Sequence, residues 1–285
     1  MFESPKRGWQ MTKASWGVLR EHPKLAVFPV FSGIALIGVT AVLIIPTGLG
    51  ALAGLGMELS DKTMQTLGYT ALFVWYFLCT FVIVFCNAAL VGCTMQSFAG
   101  QSPTIGSGFA SAGKRLPQIL GWSLVAATIG VILRLLDTFL TDKLGFIGEL
   151  VGSIAAGLWG VATYFAVPVV VAEGVGPVRA VKRSSSILRR TWGESLGGAA
   201  GLGVITFLFL LPLLVLFPLA AVSGPAGQPL QVILVVVAAL YVLAIVVVFT
   251  ALGTIFRTAV YTYATTGSAP GHIEPALLQT TFRAK

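Results

Sequence analysis

Residues 69–97 read YTALFVWYFLCTFVIVFCNAALVGCTMQS, and this stretch contains no Asp, Glu, Lys or Arg. A bilayer core about 30 Å thick is crossed by roughly 20 apolar helical residues, and lipid admits only helices or closed barrels because backbone polar groups must be satisfied internally. The run is too continuous for the alternating strands of a barrel. It therefore predicts a transmembrane helix.

Five further runs along the chain have the same apolar character. They are residues 27–48, 118–138, 147–171, 197–220 and 230–258. The 285 residues are 56% hydrophobic and only 10% charged, a composition that does not fit a soluble surface. The sequence predicts an all-α, polytopic membrane protein with six transmembrane helices in a single domain spanning 1–285.

Basic residues are unequally shared between the two sides that six spans define. The segments on the side of the N-terminus hold 15 Lys and Arg residues, and the opposite side holds three, Lys62, Arg134 and Lys143. Short positively charged loops remain cytoplasmic. We therefore expect a multi-pass protein of the plasma (inner) membrane with both termini in the cytoplasm.

The net charge of +8 comes from short clusters beside the apolar runs rather than from a soluble basic domain. Topology and anionic lipid headgroups explain such clusters, so we expect no nucleic-acid partner. Three of the clusters lie on segments with an apolar face at helical spacing. The faces are Trp9, Trp16 and Leu19 in the first segment, Ile105, Phe109, Ala112 and Leu116 in the second, and Val178, Val181, Leu188 and Trp192 in the third.

Helices that are too short and too charged to span lie in the headgroup plane. Each of the three segments precedes a pair of apolar runs, and placing Pro23, Pro117 and Trp192 in register also aligns three basic residues. These are Arg20, Lys114 and Arg189. We interpret the chain as a threefold repeat with units 1–97, 103–172 and 177–262. The alternative is that any loop beside a membrane is basic and somewhat amphipathic.

The basic residues of the second and third segments are the predicted binding site for anionic phospholipid or for another membrane protein, including a second copy of the chain. They are Lys114, Arg115, Arg179, Lys182, Arg183, Arg189 and Arg190. Each such charge near a membrane contributes about 1 kcal/mol of attraction to anionic headgroups. The alternative is that the cluster only fixes the topology.

Residues 108–122, GFASAGKRLPQILGW, and residues 180–193, AVKRSSSILRRTWG, resemble an uncharacterised six-span prokaryotic membrane protein family, catalogued as a domain of unknown function. More remotely, they are similar to the membrane domain of some glycerophosphodiester phosphodiesterases. The resemblance covers nearly the whole chain and implies a fold and a topology, but no reaction. The phosphodiesterase half has no counterpart, so the resemblance supplies no catalytic residue.

Polar residues within the spans are the next candidates. Arg134 and Asp137 are three positions apart and can pair on one helix face, either as a functional intramembrane pair or as an anchor that reaches the headgroups. Asn87 lies in the middle of its span, where interhelical hydrogen bonding and a role in permeation explain it equally well.

Other patterns give no catalytic, cofactor or metal site. Neither histidine, His22 or His272, has ligands at metal spacing nearby. Cys79, Cys86 and Cys93 form one stripe, but neighbours about 10 Å apart along a helix cannot share an ion, so we interpret them as packing residues. Residues 108–114 have phosphate-loop spacing, yet Arg115 replaces the required Ser or Thr. We expect no enzyme activity.

Small residues and prolines indicate how the spans pack. Close helix approach is predicted at four-residue stripes: Gly148, Gly152, Ala156 and Gly160, and Gly193, Gly197 and Gly201. Kinks are predicted at Pro168, Pro212 and Pro218. Because no charge lies at the middle of a span, the sequence favours an accessory or structural membrane protein over its alternative, a transporter or channel for a small or lipidic substrate.

Overall fold

A computed structural model of the chain describes residues 4–52, 61–214 and 228–267. Regular structure in these three ranges is helical, without a β-strand. The helices are α1 (Ser4–Glu21), a 3₁₀ turn (Pro23–Ala26), α2 (Val27–Leu52), α3 (Asp61–Phe98), α4 (Ile105–Gly113), α5 (Leu116–Leu144), α6 (Phe146–Ala162), α7 (Ala166–Glu173), α8 (Pro177–Arg190), α9 (Trp192–Leu210) and α10 (Gln228–Thr266). The prediction of an all-α protein is confirmed for these residues.

Five helical segments within the described ranges are long and apolar enough to cross a membrane. They are Pro23–Leu43, Thr66–Phe98, Leu116–Leu144, Phe146–Glu173 and Gln231–Thr266. They coincide with five of the six predicted spans. The sixth, 197–220, begins in α9, whose apolar part Ala199–Leu210 is shorter, and its last residues lie outside the described ranges.

The outer faces of these helices are apolar. Large side chains such as Ile37, Leu135 and Phe146 are exposed, whereas small residues such as Ala88 and Ala127 are buried. A soluble protein rarely exposes such extensive apolar surface, because each exposed side chain loses the free energy that burial would supply. The chain is a membrane protein.

The span predicted at 147–171 is interrupted between α6 and α7, at Thr163–Phe165. Pro168 lies within the first turn of α7, and a proline ring clashes with the carbonyl four residues earlier, here that of Tyr164. The helix is therefore broken one turn before the proline. This confirms the predicted kink at Pro168. At Pro212, α9 ends two residues earlier, at Leu210, and Pro218 lies outside the described ranges.

The helices form two compact units. One contains the chain up to Pro29, Thr94–Pro103 and the chain from Arg190 onward. In this unit α1 packs against both α9 and α10, and α9 and α10 pack against each other. Over residues 12–21 of α1, where burial is described, the buried side chains are Thr12, Ser15, Val18 and Leu19.

The other unit contains Val30–Cys93 and Thr104–Arg189. Its most extensive helix pair is α5 with α6. The rings of Trp122 and Trp159 stack across this pair with centroids 6.2 Å apart. Between α2 and α3, the indole Nε1 of Trp75 donates a hydrogen bond of 3.1 Å to the hydroxyl of Thr40.

Two short helices of this unit pack on the hairpins that precede them in the chain. Phe109 of α4 lies 5.8 Å from Phe31 of α2 and 6.0 Å from Phe85 of α3, between ring centroids. In α8, the hydroxyl of Ser184 accepts a hydrogen bond from the backbone of Phe165, between α6 and α7. Helix α4 thus packs on the hairpin α2–α3, and α8 packs on the hairpin formed by α5 with α6 and α7.

Candidate functional site

The basic residues of α8 lie on one side of the helix. Arg179, Lys182, Arg183, Arg189 and Arg190 are all exposed, whereas Ala180, Ser184, Ile187 and Leu188 are buried. Small and apolar residues thus face the rest of the protein, and the basic residues lie at the surface. Of the predicted apolar face, Leu188 is buried, Val181 is half-buried and Val178 is 65% exposed. The side chain of Trp192 lies outside the described residues.

Arg183 is engaged by a partner within the protein. Its Nε donates a hydrogen bond of 2.9 Å to the carboxylate of Glu173, the last residue of α7. The sequence groups Arg183 with the other basic residues of α8, but only tertiary folding brings it beside an acid ten positions earlier. The ion pair of Arg183 with Glu173 therefore connects α8 to α7.

Arg115 is engaged in a similar way. Its Nε donates a hydrogen bond of 3.2 Å to the backbone carbonyl of Val171 in the last turn of α7, and its guanidinium covers Gly174 so closely that an added Cβ there would overlap it. Carbonyls in the last turn of a helix lack partners within the helix and attract cations. Gly174 has φ +64°, a left-handed conformation that glycine adopts readily. Lys114, by contrast, is exposed.

Arg134 and Asp137 pair as predicted, at the other end of α5. The guanidinium Nη1 lies 3.6 Å from the carboxylate Oδ2, and the side chains are 82% and 32% exposed. Both residues line a groove of about 960 Å³ between α3, α5 and α6. Asn87 is half-buried in α3 and is not among the lining residues of this groove.

The close helix approach predicted along α6 is confirmed at the first two positions of the glycine stripe and is wrong at the next two. Gly148 and Gly152 are buried, and an added Cβ would overlap the backbone of Leu140 and the carboxylate of Asp137, respectively. Ala156 and Gly160 are exposed. Helix α6 thus approaches α5 closely at Gly148 and Gly152, whereas Gly160 has open space around it. An added Cβ at Gly197 would meet open space, so the predicted close approach at that position is also wrong.

Two further apolar predictions differ from the structure. Trp16 of α1 is 49% exposed, although the sequence places it on the same face as the buried Leu19. Leu116, assigned to the face of α4, is exposed in the first turn of α5. In a membrane protein an apolar face contacts either the core or lipid, and periodicity does not distinguish the two.

Within residues 4–52, 61–214 and 228–267, no group of three or more His, Cys, Asp or Glu residues is arranged to hold a metal ion. Cys86 and Cys93 are buried in α3 and Cys79 is half-buried. Gly108 lies inside helix α4, which starts with a capping box between Thr104 and Ser107, rather than in a phosphate-binding loop. His272 lies outside the described ranges.

Sequence reasoning missed Glu173, Ser184, Ser185 and the aromatic residues of the groove. The hydroxyl of Ser185 donates a hydrogen bond of 3.3 Å to the carbonyl of Ala162, so both serines contact the interrupted helix. A signal was available in the sequence, because three consecutive serines stand between the basic residues of a predicted amphipathic helix, and a proline lies within the preceding span.

Residues 66–271 match DUF6159, a family of unknown function. The match includes the last four of the five candidate spans and the helices α4 and α8. No curated protein matches the chain. Because the match covers well over half of the 285 residues, the chain belongs to the family of unknown function DUF6159.

Proposed function

We propose that this protein is an accessory or structural membrane protein without enzyme activity, and that the exposed basic face of α8 binds anionic phospholipid. The single observation that carries the proposal is the two-sided character of this helix. Arg179, Lys182, Arg189 and Arg190 are exposed while the opposite face is packed on the protein. These charges are thus held at the surface by a fixed helix rather than by a loose loop.

Not all seven predicted residues contribute to this surface. Arg115 and Arg183 are engaged within the protein, by the carbonyl of Val171 and the carboxylate of Glu173. The proposed lipid-binding face therefore consists of the four remaining residues of α8, and Lys114 is a further exposed cation in the preceding repeat. Each of the four charges contributes about 1 kcal/mol of attraction to anionic headgroups. Fewer charges would be enough to fix the orientation of the protein in the membrane.

We further infer six spans with both termini in the cytoplasm. The run 197–220 is apolar throughout in sequence, and α9 supplies its first part. An even number of spans returns the chain to its starting side, which places the clusters around Arg20, Lys114 and Arg189 together. That arrangement agrees with the 15-to-3 distribution of basic residues.

The threefold repeat is supported by two kinds of evidence. Pro23, Pro117 and Trp192, aligned by sequence, each lie within the first two residues of a helical segment that follows a shorter amphipathic helix. The contacts within each unit are also alike, because α4 lies on the first hairpin, α8 on the second, and α1 on α9 and α10 of the third. In each repeat, the in-plane helix thus covers the hairpin of the preceding repeat.

The second candidate function is transport of a small or lipidic substrate. The groove lined by Arg134 and Asp137 favours this alternative, because charged side chains at membrane depth commonly mark substrate pathways. A third possibility, that α8 binds an acidic surface of another membrane protein, uses the same exposed charges. Measuring whether the protein retains anionic lipid distinguishes lipid binding by α8 from protein binding by α8.

The test compares two variants that each remove two positive charges. R189Q/R190Q changes the proposed face, and K62Q/K143Q changes the predicted opposite side. Full-length protein is delipidated in mild detergent and titrated with phosphatidylglycerol, and bound lipid is counted by native mass spectrometry. We expect R189Q/R190Q to weaken binding about 30-fold, from about 2 kcal/mol of lost attraction. K62Q/K143Q should leave this binding unchanged.

Equal affinity in R189Q/R190Q and wild type would contradict the lipid-binding role. Equal weakening in both variants would assign the effect to net charge rather than to this face. If R189Q/R190Q instead lost a co-purifying membrane protein while retaining phosphatidylglycerol, the face would be a protein-binding surface.

A further inference from the structure

The groove between α3, α5 and α6 differs from the basic face of α8 in its position and in its chemistry. Its wall is mostly apolar and aromatic, including Leu72, Phe73 and Leu133. Charged groups are restricted to Arg134 and Asp137 among the lining residues. A volume of about 960 Å³ is in the range of sites that bind molecules of substantial size.

The charged pair lies at the depth of the lipid headgroups. Helix α5 begins at Leu116, next to the basic residues Lys114 and Arg115. Roughly 20 helical residues at 1.5 Å per residue cross the hydrocarbon core of about 30 Å. Counted from Leu116, the far boundary of the core falls close to Arg134 and Asp137, whichever side faces the cytoplasm.

The groove extends from this boundary into the hydrocarbon. Tyr69 and Tyr76 line it from α3, seven positions apart, which is about 10 Å along the helix. The phenol of Tyr76 lies against Gly130 of α5, so closely that a Cβ added at Gly130 would overlap the Tyr76 hydroxyl. Gly130 precedes Arg134 by one helical turn, so the Tyr76 end of the groove is the deeper end.

The ion pair at the boundary is loose and accessible. Its atoms are 3.6 Å apart, beyond the usual 2.7–2.9 Å of a charged hydrogen bond, and the Arg134 side chain is 82% exposed. The guanidinium therefore keeps donors that can reach a phosphate, for which its fork of N–H groups is suited. The carboxylate of Asp137, positioned against Gly152, can accept from a cation.

We propose that this groove binds one glycerophospholipid that carries a primary ammonium headgroup. The phosphate binds Arg134, the ammonium binds Asp137, and one acyl chain lies along the apolar wall between α3 and α5. The two protein charges match the two lipid charges in sign. An anionic headgroup without an ammonium would leave its negative charge close to Asp137, and a quaternary choline has no N–H to donate.

The test measures lipid preference in the full-length protein. Delipidated protein is titrated with phosphatidylethanolamine, phosphatidylglycerol and phosphatidylcholine of identical acyl chains, and bound lipids are counted by native mass spectrometry. Wild type should bind at least one phosphatidylethanolamine about tenfold more tightly than phosphatidylcholine. R134Q should weaken this binding at least tenfold, and D137N should abolish the preference over phosphatidylglycerol.

Two further variants separate the groove from a general effect. A156F places a large ring on an exposed position of the groove wall and should weaken binding of this lipid without changing any charge. K143Q removes an exposed cation near the end of α5 that does not line the groove, and should have no effect. Thermal unfolding of each variant in detergent shows whether it is folded.

The proposal is overturned if folded R134Q and A156F both keep the wild-type preference for phosphatidylethanolamine. It is also overturned if wild type does not distinguish phosphatidylethanolamine from phosphatidylcholine. The basic face of α8 is tested separately, because R189Q/R190Q should keep the preference for phosphatidylethanolamine whether or not it loses phosphatidylglycerol.

Discussion

Ser184 of α8 accepts a hydrogen bond of 2.9 Å from the backbone N–H of Phe165, which lies 19 positions earlier in the chain. Phe165 is fully buried at the interruption between α6 and α7. Pro168 causes this interruption, because a proline ring clashes with the carbonyl four residues earlier. The buried hydroxyl of Ser184 therefore joins α8 to the interrupted span.

Replacing Ser184 by Ala should destabilise the protein by about 1–3 kcal/mol, because the N–H of Phe165 would be buried without a partner. The measurement is thermal or denaturant unfolding in detergent. S186A is the matched control, since Ser186 is exposed on the same helix, and its effect should stay within about 0.5 kcal/mol. Equal stability of the two variants would show that the hydrogen bond does not matter.

Gly148→Ala should lower the stability of the protein, whereas Gly157→Ala should not. Alanine favours a helix over glycine by about 1 kcal/mol, and Gly157 has open space around it, so G157A should be neutral or stabilising. At Gly148 the new Cβ would overlap the backbone of Leu140, and α5 and α6 would have to separate. We expect G148A to lower the unfolding temperature. A stabilised G148A would contradict the close approach.

The neighbouring residues Lys114 and Arg115 should behave differently when each is replaced by Gln. R115Q loses a charged hydrogen bond to the last turn of α7 and should be destabilised by about 1–2 kcal/mol. K114Q, at an exposed position, should unfold like wild type. Unfolding in detergent at constant ionic strength measures both. The distinction is wrong if the two variants have equal stability.

Reporter fusions test the topology. Fusions at residues 110, 185 and 280 should report a cytoplasmic location, and fusions at residues 60, 143 and 225 an external one, because six spans alternate the sides. If residues 197–220 did not cross the membrane, the fusion at 225 would share the location of the one at 185. A single reversed hairpin would also contradict the six-span arrangement.

The sequence alone was sufficient for the helical class and for five spans, because a run of about 20 apolar residues has no stable alternative in lipid. It also located the boundaries between short and long helices near Pro23, Pro117 and Trp192, since proline and clustered charge act locally. The pair of Arg134 with Asp137 followed from their spacing on one helix.

Only the tertiary structure decided which residues of each pattern are used. Gly148 is buried against the backbone of Leu140 and Gly160 is exposed with open space around it, although both belong to one stripe. Arg183 is tied to Glu173 while Arg179 is not reached by it, although both are basic residues of α8. Periodicity assigns a residue to a face of its own helix. The neighbour that this face meets, whether protein, lipid or water, is determined by contacts between segments far apart in the chain.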